Sequence, residues 1–148
     1  MTTNIYSATA TLDDGMSFIG RTGSGFSLVL DSTPDAGGLE RGPCPMELVL
    51  VSLAGCTGMD VIAMLRKMRQ DVTGYEVRVR GDERAPDFPM VYTRITVEHV
   101  FRGRELVDAT VAHAVELSAT RYCPVSAMLG ESAEVTHTYR IEQPVASE

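Results

Sequence analysis

The chain has 148 residues, 44% of them hydrophobic and 22% charged, the balance of a globular protein of one-domain length. Its net charge of −7, with no basic run and no interleaving of aromatic and basic residues, excludes a nucleic-acid partner, which needs a basic face. Three cysteines, an odd number, make no structural disulfide framework, so the expected compartment is the cytoplasm, where a thiol pair points to redox or catalytic chemistry.

The first residues, Met1 to Tyr6, carry neither a charged n-region nor an apolar h-region, and no secretory signal is expected. Ile5 to Thr11 alternates apolar and polar residues, and Asp13-Asp14-Gly15 signals a turn. Met16 to Gly20 and Phe26 to Leu30 read as two further strands. The loop between them, Arg21 to Gly25, is glycine-rich, but it has no following helix and no P-loop lysine, so it reads as a hairpin turn. Asp31 to Gly42, with Pro34, Gly37 and Gly38, is a loop.

The next stretch organises the whole chain. Pro43 and Pro45 are suited to open a helix, and Glu47 puts a negative charge where the helix dipole favours it. From Leu48 to Leu65 apolar or small residues fall on nearly every face, so the helix calls for cover all round. Ser52, Thr57 and Asp60 interrupt it, which argues against a membrane span. Between Pro45 and Met68 it would run ~36 Å, the width of a domain this size, and a second copy of the same helix is the simplest cover. Gly55 and Gly58 flank Cys56 and Thr57. Each helix-interior glycine costs roughly 1 kcal/mol against alanine, a cost that close approach of another backbone or room beside the sulfur would explain.

Arg66 and Lys67 place cations at the helix end, which is expected near Gln70-Asp71 or Gly74. Tyr75, Val77, Val79 and Gly81 form one face of a strand, and Thr93, Ile95, Val97, His99 and Phe101 one face of another over Val91 to Arg102. A second helix is predicted from Glu105 to about Tyr122, with Val107, Val111, Ala114, Val115 and Ser118 at helical spacing. Pro124 breaks it and a short helix restarts up to Gly130. Val135, His137, Tyr139 and Ile141 form one face of a last strand. The order βββ–α–ββ–α–β predicts an α+β fold of mostly antiparallel sheet in a single domain over 1–148.

Cys123, just before Pro124, lies where unpaired backbone N–H groups are expected to lower a thiol pKa. Its spacing from Cys56 matches no zinc or iron–sulfur pattern, and neither a metal nor another cofactor is expected. His99 and His137, on apolar strand faces, read as hydrogen-bonded packing groups. Met46, Met59, Met64, Met68 and Met128 read as core filling or as the lining of an apolar pocket.

The segment Gly42-Pro43-Cys44-Pro45-Met46-Glu47-Leu48 running to Ala54-Gly55-Cys56, together with Tyr122-Cys123-Pro124-Val125-Ser126-Ala127-Met128-Leu129, resembles the OsmC/Ohr family, and most closely its YhfA-like branch. The resemblance covers most of the chain. It implies an intertwined homodimer with two active sites at the interface and a thiol-dependent reduction of organic hydroperoxides. Cys56 would be oxidised to a sulfenic acid and Cys123 would condense with it to a disulfide. A thiol or dihydrolipoyl group would be the reductant, and no nucleic acid and no membrane would be involved.

The better-known peroxidases of the family use a glutamate ten residues before the first cysteine, paired with an arginine. Here that position is Met46, and the carboxylate is Glu47, nine before Cys56. Glu47 is retained as a catalytic candidate, though helical geometry projects it away from Cys56, which suits a helix cap equally well. Asp60, one turn beyond Cys56 on the same side, is the nearer carboxylate. Arg21 and Arg41 are the arginines available to serve the thiol. The rival function is binding of an apolar small molecule at the dimer interface by a weakly active or inactive member. Cys44 is expected to be dispensable.

Overall fold

A computed structural model describes residues 6–142 of the chain. Ile5, with which the first predicted strand opens, and the tail after Glu142 lie outside the described residues. The described chain divides after Val49 into two compact units.

In the first unit, β1 (Ala8–Asp14), β2 (Ser17–Thr22) and β3 (Ser27–Leu30) form an antiparallel sheet in that order. Gly15, at φ +57°, supplies the left-handed residue that the tight turn after Asp14 requires. The glycine-rich loop is a hairpin turn, as expected: the Thr22 N–H donates to the Phe26 carbonyl at 2.9 Å. Every residue of β1 is exposed. The following loop is organised by the buried Asp31 carboxylate, which accepts N–H groups from Ser32 at 2.7 Å, Arg41 at 3.1 Å and Leu39 at 3.4 Å. The Ser32 N–H, foremost among these, holds the Asp31 carboxyl below its ordinary range.

The long helix α1 (Pro45–Lys67) begins in this unit and continues into the second. Its C-terminus is a Schellman motif built on Arg69 at φ +59°: the Gln70 N–H donates to the Leu65 carbonyl and the Arg69 N–H to that of Arg66. The helix therefore stops before Gly74, where the more usual αL residue stood.

The second unit is a mixed sheet, β4 (Asp71–Arg84), β5 (Tyr92–Arg104) and β6 (Glu134–Glu142), in that order. The β4–β5 pair is antiparallel and β5–β6 parallel, the one departure from the antiparallel expectation, because the chain returns through helices rather than a hairpin. Those helices are α2 (Asp108–Leu117) and α3 (Pro124–Leu129), joined by a π-helical turn over Ser118–Tyr122. α2 starts three residues later than predicted, since Glu105 sits at φ +53°, outside helical backbone.

The faces read from the strand alternation are those observed. Ile95, Val97, His99 and Phe101 are fully buried, and Val61 and Leu65 of α1 join Phe101, Val111, Ala114 and Val115 in one core. Leu53, Thr57, Val61 and Leu65, spaced four apart, are the buried row of α1. By length and a mean hydropathy of 2.0, α1 would be adequate to cross a bilayer, so its polar interruptions do not by themselves exclude a span; 22% of the apolar window is buried inside the chain, along this one row. The described residues do not supply the expected all-round cover: Val51 is 63% and Met59 72% exposed.

Candidate functional site

The site lies in the second unit, where α1 brings Cys56 and the π-helical turn brings Cys123. The wide turn lets the Cys123 N–H reach back five residues to the Ser118 carbonyl at 3.0 Å, and Cys123 then caps α3, its Sγ accepting the Ser126 N–H at 3.3 Å. The fold brings Cys56 and Cys123, far apart in sequence, side by side, close enough for Cys56 to act on the Cys123 thiol. All three cysteines are free thiols; Cys123 is buried and Cys56 is partly open to solvent.

Burial pushes the Cys123 thiol up to about 11, and Cys56 and Asp60 add to it, while the Ser126 N–H opposes them. This overturns the expectation that the helix restart lowers the thiol: one amide hydrogen bond is outweighed by loss of water and by the two α1 neighbours. Cys123 is only 3% exposed and already lies against Cys56, so no large movement is needed to bring the two sulfurs together.

Asp60 closes a second polar group. Its Oδ2 accepts the Ser118 hydroxyl at 3.1 Å, and the Ser118 and Thr57 hydroxyls are 2.7 Å apart, both completely buried. Sequence reading passed over Ser118 and Thr57, yet the signal was present. Each is a hydroxyl on an otherwise apolar helical row, which in a core demands a partner. Beyond Cys56 along the same helix face is a cavity of about 560 Å³ lined by Met59, Asp60, Met64, Lys67, Leu117 and Tyr122 among others. Met59, Met64 and Met68 thus line a pocket, whereas Met128 is exposed. Of the two helical glycines, Gly58 is pressed against β4, where an added Cβ would lie 3.3 Å from Val77 Cγ2, and Gly55 faces open space.

The remaining candidates are placed elsewhere. Glu47 Oε1 accepts the Cys44 N–H at 3.2 Å while the Glu47 and Leu48 N–H groups donate to the Cys44 carbonyl, the carboxylate half of a capping box with cysteine where serine is usual. The Cys44 backbone N–H, then its thiol, hold the Glu47 carboxyl below its ordinary range. This carboxylate caps the helix and, nine residues or ~13.5 Å of helical rise from Cys56, is out of reach of the Cys56 of its own chain. Arg41 pairs with Asp14 at 3.5 Å, and Arg21 lies in β2 opposite Thr9. Among the described residues no three metal-ligating side chains cluster.

The family model of the OsmC-like protein matches residues 37–138. The chain belongs to the OsmC family. It is 38% identical over 128 residues to Protein YhfA of Escherichia coli K12, covering 86% of this chain and 92% of that one. A hypothetical protein of Aquifex aeolicus superimposes with a TM-score of 0.83 at 28% identity, over 97% of this chain and all of the other. An organic hydroperoxide resistance protein of Legionella pneumophila shares the fold, with a TM-score of 0.64 at 17% identity, over 94% and 98% of the two chains. The fold and family implied by the two cysteine motifs are those found.

Proposed function

We propose that this OsmC-family protein is a thiol peroxidase that reduces organic hydroperoxides through Cys56 and Cys123. One observation carries the reading: a half-open cysteine and a buried, protonated one meet side chain to side chain, which is the arrangement that a disulfide-forming cycle needs. Membership of a family that includes organic hydroperoxide resistance proteins supports it.

The Cys56 thiolate attacks the outer oxygen of the hydroperoxide. The S–O bond forms as the O–O bond breaks, and the alkoxide takes a proton to leave as an alcohol. Cys123 then attacks the Cys56 sulfenic acid: the S–S bond forms, the S–O bond breaks, and the hydroxide departs as water with the Cys123 proton. An external thiol, or a dihydrolipoyl group, returns both cysteines to the reduced state. Such a cycle suits the reducing cytoplasm. The methionine-lined cavity that begins about one helical turn beyond Cys56, at Met59 and Asp60, favours an apolar substituent on the peroxide over hydrogen peroxide.

The same reading makes the protein a homodimer. Val51, Gly55 and Met59 form an outward stripe on α1, the first and last strongly exposed and Gly55 with nothing within 4 Å of an added Cβ. A second copy gives that stripe the cover its composition asks for. Val51→Asp is expected to convert the dimer to monomer in light scattering.

The test of activity is consumption of cumene hydroperoxide by the purified protein with dithiothreitol or a dihydrolipoyl donor. Turnover lost in Cys56→Ser supports the proposal. The competing reading, a binding protein for an apolar molecule, draws on the same cavity and on the commitment of Glu47 to its helix cap; saturable ligand binding without peroxide consumption would favour it.

A further inference from the structure

Besides the Thr57–Ser118–Asp60 group, a line of polar side chains crosses the core of the second unit. The Tyr75 hydroxyl on β4 lies 2.6 Å from His99 Nδ1 on β5. His99 Nε2 lies 3.0 Å from His137 Nδ1 on β6, and His137 Nε2 lies 3.4 Å from the Ser126 hydroxyl on α3. His99 is completely buried and both its ring nitrogens are engaged. The rings of Tyr75, His99, Phe101 and His137 are stacked, so the line is packed as well as hydrogen-bonded.

Burial keeps both imidazoles neutral, His99 being lowered to about 3 and His137 in the same direction. A neutral imidazole has one donor and one acceptor nitrogen, so the two rings must share one donor order along the line. Replacing any member leaves a buried neighbour unpaired, and the line acts as one unit. It ends at Ser126, which is 6% exposed and whose own N–H donates to Cys123 Sγ.

We propose that Tyr75, His99 and His137 are positioning residues for Cys123: a buried chain, Tyr75–His99–His137–Ser126, holds the Ser126 peptide against the Cys123 sulfur and so governs how readily that thiol gives up its proton. For its place in the cycle this rests on the peroxidase reading; for the thiol itself it does not. In the resolving step Cys123 must become a nucleophile, and a fixed N–H on its sulfur supports the negative charge that develops there. The other titratable groups facing Cys123 are Cys56 and Asp60 of α1, and both act in the opposite sense. Glu116 and Tyr139 border His137 in a pocket of about 340 Å³. Tyr139 is itself committed to Asp108, at 3.0 and 3.1 Å.

The experiment measures iodoacetamide labelling of Cys123 against pH, peptide by peptide by mass spectrometry, in a Cys56→Ser background. His137→Leu is expected to move the labelling midpoint upward by about one unit, roughly a tenfold slower reaction near pH 8. His137→Gln, which keeps a donor and an acceptor, restores most of it. Tyr75→Phe, which removes one hydroxyl and keeps the ring on Phe101, moves the midpoint the same way by less. It decides the matter if His137→Leu does not fold. A profile unmoved in the folded variants, or one moved by His137→Leu and not restored by His137→Gln, overturns the proposal. Absence of peroxide turnover in the unmodified protein, with the labelling shift present, removes the peroxidase reading and leaves the chain standing.

Discussion

The two sheets of this chain have three strands each and opposite relations to water. In β1–β2–β3 all of β1 is exposed, Leu12 by 58%, and Val29 of β3 is 40% exposed. In β4–β5–β6 the central strand carries four completely buried side chains, Ile95, Val97, His99 and Phe101. The same period-2 alternation underlies both sheets, so alternation marks a face that calls for cover without saying that the same chain provides it. The chemistry follows the difference. A thiol held protonated and a neutral histidine pair both require burial, and only the second sheet offers it.

The contrast can be broken most severely at its buried end. Phe101→Ala should cost about 3–5 kcal/mol in urea unfolding, because it opens a cavity among Val61, Leu65, Val111 and Val115 that cannot collapse. Ser118→Ala should cost about 1–3 kcal/mol by leaving the Thr57 hydroxyl and Asp60 without their partner. Acid should expose the neutral histidines next. His99 has an ordinary value of 6.5 and a native value of about 3, so between these the unfolded chain binds a proton that the native chain refuses. Stability should therefore fall as pH drops below 6.5, by about 1.4 kcal/mol per pH unit for this group, and more gently in His99→Gln.

Effects in the first unit should be smaller. Glu47→Ala should cost about 1 kcal/mol by removing the carboxylate that caps the Cys44 amide, and Cys44→Ser almost nothing, with peroxide turnover retained in both. Leu12→Ala should cost less than about 0.5 kcal/mol in dilute protein, measured by thermal melting. A cost that grows with protein concentration would sharpen the contrast by assigning the cover of this sheet to a second copy.

Much of the molecule was legible beforehand because periodicity reports burial directly. The strand faces at Tyr75–Gly81 and Val135–Ile141, the central helix and the break at Pro124 were all read from spacing and from proline. The misreadings share another cause, tertiary context acting on a local rule. Of the two ends read for the central helix, Gln70-Asp71 is the one found and Gly74 is not: Arg69 takes the αL position, since hydrogen bonds to Leu65 and Arg66 repay a non-glycine residue there. Cys123 at a helix restart suggested an acidified thiol, but the local amide was outweighed by groups that only the fold brings near. The histidines read as hydrogen-bonded packing groups, and that is how they are held; that their partners are each other, Tyr75 and Ser126 depends on strand register, which no local pattern carries. Glu47 was legible as a cap from its place in the first helical turn and its projection away from Cys56.

The central claim is that Cys56 and Cys123 form one redox pair. Its most direct test is to add one equivalent of cumene hydroperoxide to the reduced protein, count free thiols and map disulfides by mass spectrometry. The account predicts loss of two thiols per chain and a Cys56–Cys123 disulfide, with Cys44 still free. In Cys123→Ser the same treatment should leave a sulfenic acid on Cys56 that dimedone traps. Both cysteines remaining reduced, or a disulfide that recruits Cys44, would contradict it.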